Sequence, residues 1–267
     1  MNKKLQLLLV VIAGILVGVM SFSAYKLISD KTEHKDARVK DDSVKTTYTY
    51  QGDTTAAATP RPYTQEEEEA LILDDEISPL NNMYDFDAFY AEYEDAIGWL
   101  YSPETPIDYG VVEAEDNDFY LHRFLDGDFS ISGSLFADCK NHRDFSDQNT
   151  IIYGHHMNDG TKFASLVNYR TEGYYAEHPV MYLSTPTMNY RVEIFAAYLT
   201  DADSDTYMFR FENEEDYADY LARMIAQSDI DTPVQVGPKD HIITLSTCSY
   251  EFYDARYVVQ GKLVPIH

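Results

Sequence analysis

The stretch "HIITLSTCSYEFYDARYVV", His241 to Val259, decides how the C-terminal half of this chain folds. Two runs rich in β-branched and aromatic residues flank a polar connection, which is the pattern of paired strands. Only seven residues, Ser249 to Ala255, separate Cys248 from Arg256. A parallel return needs about a dozen residues or more, so the two strands are expected to be antiparallel neighbours. Cys248 then ends one strand and Arg256 begins the next at the same end of the sheet. A guanidinium beside a thiol can lower the thiol's pKa or donate hydrogen bonds to an oxyanion formed by sulfur attack. Arginine suits the second task because it stays charged and presents its donors as a rigid fork. Taken alone, however, a strand cysteine near an arginine more often reads as structural.

A second segment changes that balance. "NTIIYGHHMNDGTKF", Asn149 to Phe163, runs a β-branched strand into Gly154 and then into two histidines on a Gly/Asn/Asp-rich loop. Loops at strand ends are where a rigid scaffold presents reactive groups, and an imidazole there can exchange protons with a thiol and a leaving amine. The alternative is a surface histidine pair. A zinc site fits poorly, since adjacent histidines rarely share a metal and no H-E-x-x-H or C-x-x-C spacing occurs.

Between and around these segments lie short apolar runs broken by Asp, Asn and Gly: "IDYGVVEA", "SGSLFAD", "VMYLST", "YRVEIFAAYLT" and "ARYVVQGKLVPI". Their lengths predict strands of a mostly antiparallel, barrel-like sheet. "NEEDYADYLARMIAQ" interrupts them with Tyr217, Tyr220, Leu221, Met224 and Ile225 on one helical face and Asn213 as N-cap. Upstream, "FDAFYAEYEDAIGWLY" places Phe86, Phe89, Tyr90, Tyr93 and Ile97 on a helical stripe ending at Gly98, and the acidic "TQEEEEALILDDE" reads as a helix start.

The N-terminus carries Lys3 and Lys4 and then an uncharged run from Leu5 to Tyr25. As a helix it spans roughly 31 Å, enough for a bilayer core. The expected organisation is a cytoplasmic tip (1–4), a transmembrane anchor or uncleaved signal (5–27), a tether and helix start (28–80) and a folded domain (81–267). The lysines should stay inside, leaving the body extracellular. A cleaved signal ending near Ala24 is the competing reading. Residues from Ser29 to about Thr64 show no sustained apolar period and read as mobile.

The net charge is −26, yet residues 1–50 hold eight Lys/Arg against five Asp/Glu, so the acidic excess lies in the body. Such a surface repels phosphate backbones, and nucleic acid is not an expected partner. Two cysteines, Cys139 and Cys248, are too few for a disulfide framework, though one bridge between them is left open. Cys139 has no His/Arg pattern around it and reads as structural. "DADSDTYMFRFE", Asp201 to Glu212, partly matches a calcium loop, but Thr206 replaces the turn glycine, so a solvated acidic loop is expected.

Together, "TLSTC" followed by "DARYVV", with "IIYGHHM" upstream, resembles the sortase family of cysteine transpeptidases. The likeness is to class B members and extends through "IGWL", "IDYGVV", "DNDFYLHRFLDG", "GSLF" and "SDQNTIIYGHHMNDGTKF", covering roughly Ile97 to Ile266. It implies an eight-stranded β-barrel with N-terminal helices and a long helix before the last two strands. It also implies Cys248 as nucleophile, His155 as acid/base and Arg256 as oxyanion or substrate stabiliser, with His156 a neighbour and no cofactor or metal. The implied partners are exported proteins bearing a C-terminal sorting motif cleaved after Thr, and an amine of a peptidoglycan cross-bridge or a pilin as acceptor. A water-using cysteine peptidase and a non-catalytic wall-binding module are the alternatives.

Overall fold

The computed structural model describes residues 3–50, 76–249 and 254–267, with side chains from residue 12 onward except residues 13 and 14. Eight strands close into a barrel in the order β1-β2-β3-β4-β7-β8-β6-β5. They are β1 (Ala96–Tyr101), β2 (Asp108–Val112), β3 (Leu135–Ala137), β4 (Asn149–Tyr153), β5 (Val180–Ser184), β6 (Asn189–Asp201), β7 (Ile242–Cys248) and β8 (Ala255–Ile266). The expected mostly antiparallel sheet is present, with two parallel exceptions, β2 with β3 and β4 with β7. β7 and β8 are antiparallel and pair Cys248 with Arg256.

Alternation along the strands sorts side chains between an interior and two outer layers. Ile152, Ile243, Leu245, Tyr257 and Val259 point into the barrel with Leu100, Phe163 and Leu183. On one outer face, helix α1 (Lys3–Tyr48) and helix α2 (Phe86–Glu92) contribute Val44, Tyr48 and Phe89, which pack on Trp99, Val112 and Phe136. A one-turn helix α3 (Tyr174–Glu177) precedes β5. On another face, helix α4 (Glu214–Ala226) lays Tyr217, Tyr220, Leu221 and Met224 over Phe195, Tyr198 and Val258. Asn213 caps α4 by accepting from the Asp216 N–H at 3.0 Å, as its sequence predicts. Ile225 is exposed rather than on the buried stripe.

Two further expectations change. The stripe from Phe86 does not extend to Ile97: α2 stops at Glu92 and Ala96 begins β1. Tyr93 and Ile97 are four apart and mimic a helical pair, but a strand gives Ile97 and Leu100 to the barrel interior and Trp99 to the outer layer. The segment read as a tether is helical up to Tyr48, and Ala37, Asp41, Val44 and Tyr48 are buried. Those four recur at helical spacing, a stripe too short and too mixed in polarity to stand out in sequence. The helix expected in "TQEEEEALILDDE" lies almost wholly outside the described residues.

Among the described residues, no helix is long and apolar enough to cross a membrane. The expected span 5–27 falls partly on side chains outside that description. Those within it, including Ile12, Ile15, Leu16, Val17, Val19, Met20 and Phe22, are all exposed.

Candidate active site

The parallel pairing of β4 with β7 brings distant residues together. Its register runs from Asn149 with Ile242 to Tyr153 with Ser246. The Gly154 N–H still donates to the Ser246 carbonyl at 3.1 Å, so the pairing persists past the strand end. Beyond Gly154 the chain leaves the ladder, the His155 carbonyl accepting from the Phe163 N–H at 3.0 Å, while the β7–β8 ladder sets Cys248 opposite Arg256. Neighbouring strands lie about 4.8 Å apart, so Cys248 and Arg256 are direct neighbours across the ladder, with His155 two residues past the end of β4, the strand on the other side of β7. Cys248 shares the parity of Thr244 and Ser246, opposite to the interior Ile243 and Leu245. The three groups therefore face outward from the barrel wall. His155, Cys248 and Arg256 line one groove together with Leu121, Tyr153, Tyr207 and Ser246.

Gly154 is needed for this turn. A β-carbon there would meet Leu135 Cδ2 at 2.5 Å and Phe163 Cδ2 at 2.6 Å, so no larger residue fits between the strand and the histidine. His155 is half-buried, and its Nε2–H donates to the Leu121 carbonyl at 2.7 Å. That bond places the proton on Nε2 in the neutral ring and leaves Nδ1 as the nitrogen that can exchange one. The His122 ring stacks on His155 at 5.7 Å. Burial holds the His155 pKa below the ordinary imidazole value of 6.5, and the nearby His122 and Lys162 push it the same way against the Leu121 carbonyl. His156 turns elsewhere, donating from Nδ1 to the Cys248 backbone carbonyl at 3.0 Å, so it helps hold the end of β7.

Arg256 donates to the Ala255 carbonyl at 3.1 Å and lies 3.6 Å from the Asp254 carboxylate. Its fork carries more donors than those contacts use. Cys248 and Cys139 are both free thiols, so the bridge left open by the sequence is not formed. Burial and Asp138 raise the Cys139 pKa, which makes it a poor nucleophile.

Sequence reasoning from motifs alone missed Tyr207 and the Leu121 carbonyl. Tyr207 exchanges a 2.9 Å hydrogen bond with Ser246, two residues before the cysteine, and burial raises its pKa to about 12. It comes from the supposed calcium loop. There Thr206 is buried, its carbonyl accepts from the Tyr220 hydroxyl at 2.8 Å, and Asp205 pairs with Arg223. Among the described residues, no cluster could hold a metal ion. A lone tyrosine in an acidic loop carries no local signal of its place in a groove.

A closed barrel that presents a thiol between an imidazole and a guanidinium is the framework of a cysteine transpeptidase. The chain belongs to the sortase family: residues 103–264 match the Sortase domain. It is 35% identical to sortase B of Listeria monocytogenes over 252 residues, 94% of each chain. It is also 32% identical to sortase B of Staphylococcus aureus over 175 residues, 65% of this chain and 72% of the other. Solved structures agree. A Staphylococcus aureus sortase B–substrate complex superposes with a TM-score of 0.64 at 31% identity, covering 67% of this chain and 84% of the other. Clostridium perfringens sortase B gives a TM-score of 0.64 at 32% identity, covering 67% and 100%. The class B assignment and the eight-stranded barrel thus stand, and the wall-binding module without catalysis falls away.

Proposed function

We propose that this transpeptidase works through Cys248, His155 and Arg256, held outside the cell by an N-terminal membrane helix. The observation that supports the reading is the groove lined by His155, Cys248 and Arg256 at the ends of β4, β7 and β8. The Cys248 thiolate attacks the carbonyl carbon of a Thr in a C-terminal sorting signal. Electron density moves onto the carbonyl oxygen, where the Arg256 fork donates hydrogen bonds to the developing charge. As the tetrahedral centre collapses, the C–N bond breaks and protonated His155 passes its proton to the leaving amine. An acceptor amine then gives its proton to His155, attacks the thioester and expels the Cys248 thiolate. Dividing amide exchange into two easier displacements is what the covalent nucleophile contributes. Burial disfavours the imidazolium form of His155.

The substrate class draws support from the relatives, since a Staphylococcus aureus sortase B has been solved as a substrate complex and a sortase B has been solved with triglycine. A glycine amine of the wall cross-bridge is therefore the favoured acceptor over a pilin lysine. Membrane anchoring by residues 5–27 draws support from the run of exposed apolar side chains between Ile12 and Phe22, a part of α1 that carries no charged residue.

The test is cleavage of sorting-signal peptides by the full chain in detergent, with triglycine added and products weighed by mass spectrometry. The expected product is the Thr-terminated fragment joined to triglycine, with Cys248→Ala folded and inactive. Hydrolysed fragment alone would favour the water-using peptidase. Full turnover by Cys248→Ala would remove the cysteine from the mechanism.

A further inference from the structure

The loop that carries His155 contains a buried cation that the chemistry above does not use. Lys162 is 2% exposed, and its Nζ donates to Asp41 Oδ1 of α1 at 2.9 Å. The ammonium also lies over the Tyr109 ring at 4.5 Å. Asp41 is itself buried, on the α1 stripe formed by Ala37, Val44 and Tyr48. Two charges this far from water persist because each holds the other, and a lone partner left behind is far costlier than losing both.

Lys162 is tied to the histidine by backbone. His156 and Lys162 form an antiparallel bridge, and the Phe163 N–H donates to the His155 carbonyl at 3.0 Å. Lys162 adopts φ +55°, a left-handed conformation that a lysine keeps only when its surroundings impose it. Here the Tyr109 hydroxyl accepts from the Lys162 N–H at 3.2 Å, while Asp41 fixes the side chain. Arg38, one turn before Asp41 on α1, reaches Asp159 of the same loop at 4.0 Å. The helix thus grips the His155 loop through both its base and its tip.

We propose that the C-terminal part of α1 belongs to the active site, with Asp41 a positioning residue that holds the His155 loop through its buried ion pair with Lys162. Without Asp41, Lys162 must reach water or lose its proton. Either change loosens the loop base that sets His155 against the Leu121 carbonyl in the groove. The inference rests on His155 acting as the acid/base, and it makes turnover depend on how α1 is seated.

The experiment measures kcat, KM and thermal midpoint for the full chain in detergent with a sorting-signal peptide. Asp41→Leu is expected to lower kcat by about tenfold or more with KM within about twofold, since misplacing a proton-transfer group acts on the chemical step. Asp41→Leu/Lys162→Met, which removes both charges, is expected to recover kcat to within about threefold of wild type. Lys40→Ala, on the same helix but paired with Asp126 and Asp128 at the surface, is expected to leave kcat unchanged. Should Asp41→Leu not fold, the milder Asp41→Asn is read in the same way. Wild-type kcat in the folded Asp41 variant, or a double variant no better than the single one, overturns the proposal. His155→Ala with wild-type turnover would instead sink the acid/base reading, a separate result.

Discussion

The outward faces of β7 and β8 are treated in opposite ways at their two ends. Beneath α4, Thr244 and Gln260 are cross-strand partners and fully buried. Thr244 donates to Asn149 Oδ1 at 2.8 Å, and Gln260 donates to Thr244 and to the Tyr220 hydroxyl at 2.9 Å each. Asn149 in turn donates to the Met208 carbonyl at 2.8 Å. At the other end, four residues along the same face, Cys248 and Arg256 are equally cross-strand partners but line an open groove. Polar side chains at equivalent positions become an internal hydrogen-bonded network where a helix covers them and the lining of an open groove where none does. The covered end pins the register on which the open end depends, because a slip of one residue would turn Cys248 into the barrel.

The contrast can be broken most severely at the open end. Arg256→Lys keeps the charge but loses the fork, and kcat for peptide cleavage is expected to fall about 100-fold with little change in denaturation midpoint. Retained kcat would mean that the guanidinium geometry does not matter. At the covered end the expected effect is on stability. Asn149→Ala leaves several buried partners unsatisfied and should cost about 3 kcal/mol in urea denaturation, with kcat of the folded fraction within about twofold of wild type. A large loss of kcat at unchanged stability would show the two ends to be one unit. Asn213→Ala removes the α4 cap and should cost about 1 kcal/mol, again with activity kept.

The smallest expected effect separates the ends by pH. His155 is held below 6.5 by burial. The acid limb of kcat/KM is therefore expected below 6.5, where the free enzyme takes up the proton that burial of His155 holds off. A histidine whose folded pKa is depressed binds its proton more weakly when folded. The stability it contributes is complete above 6.5 and is lost as pH falls through the folded value. His155→Asn should flatten that slope in denaturation measured between neutral and mildly acid pH, while Asn149→Ala should leave it unchanged.

Much of the groove's lining was legible in the chain. The seven-residue connection implied the antiparallel partnership of Cys248 and Arg256, and the resemblance through "TLSTC" and "IIYGHHM" named His155 over His156. In the structure His156 turns to the Cys248 carbonyl, while His155 lines the groove. The parallel pairing of β4 with β7 was not legible, because strands far apart in sequence carry no local sign of direction or neighbour. Nor was the seating of α1, where a buried aspartate looks like any other acid in a charged segment.

What the sequence determined by itself is local. The period-two runs made strands, Asn213 began a helix, and a glycine ended the strand before the histidine. What only the tertiary structure decided is adjacency: which strand lies beside β7, which helix covers its outer face and where it stops, that Leu121 and a tyrosine from an acidic loop line the groove of Cys248, and that α1 holds the loop after His155. Periodicity and capping act within a few residues along the chain, whereas neighbours across a closed barrel are chosen by the burial and pairing of the whole sheet at once.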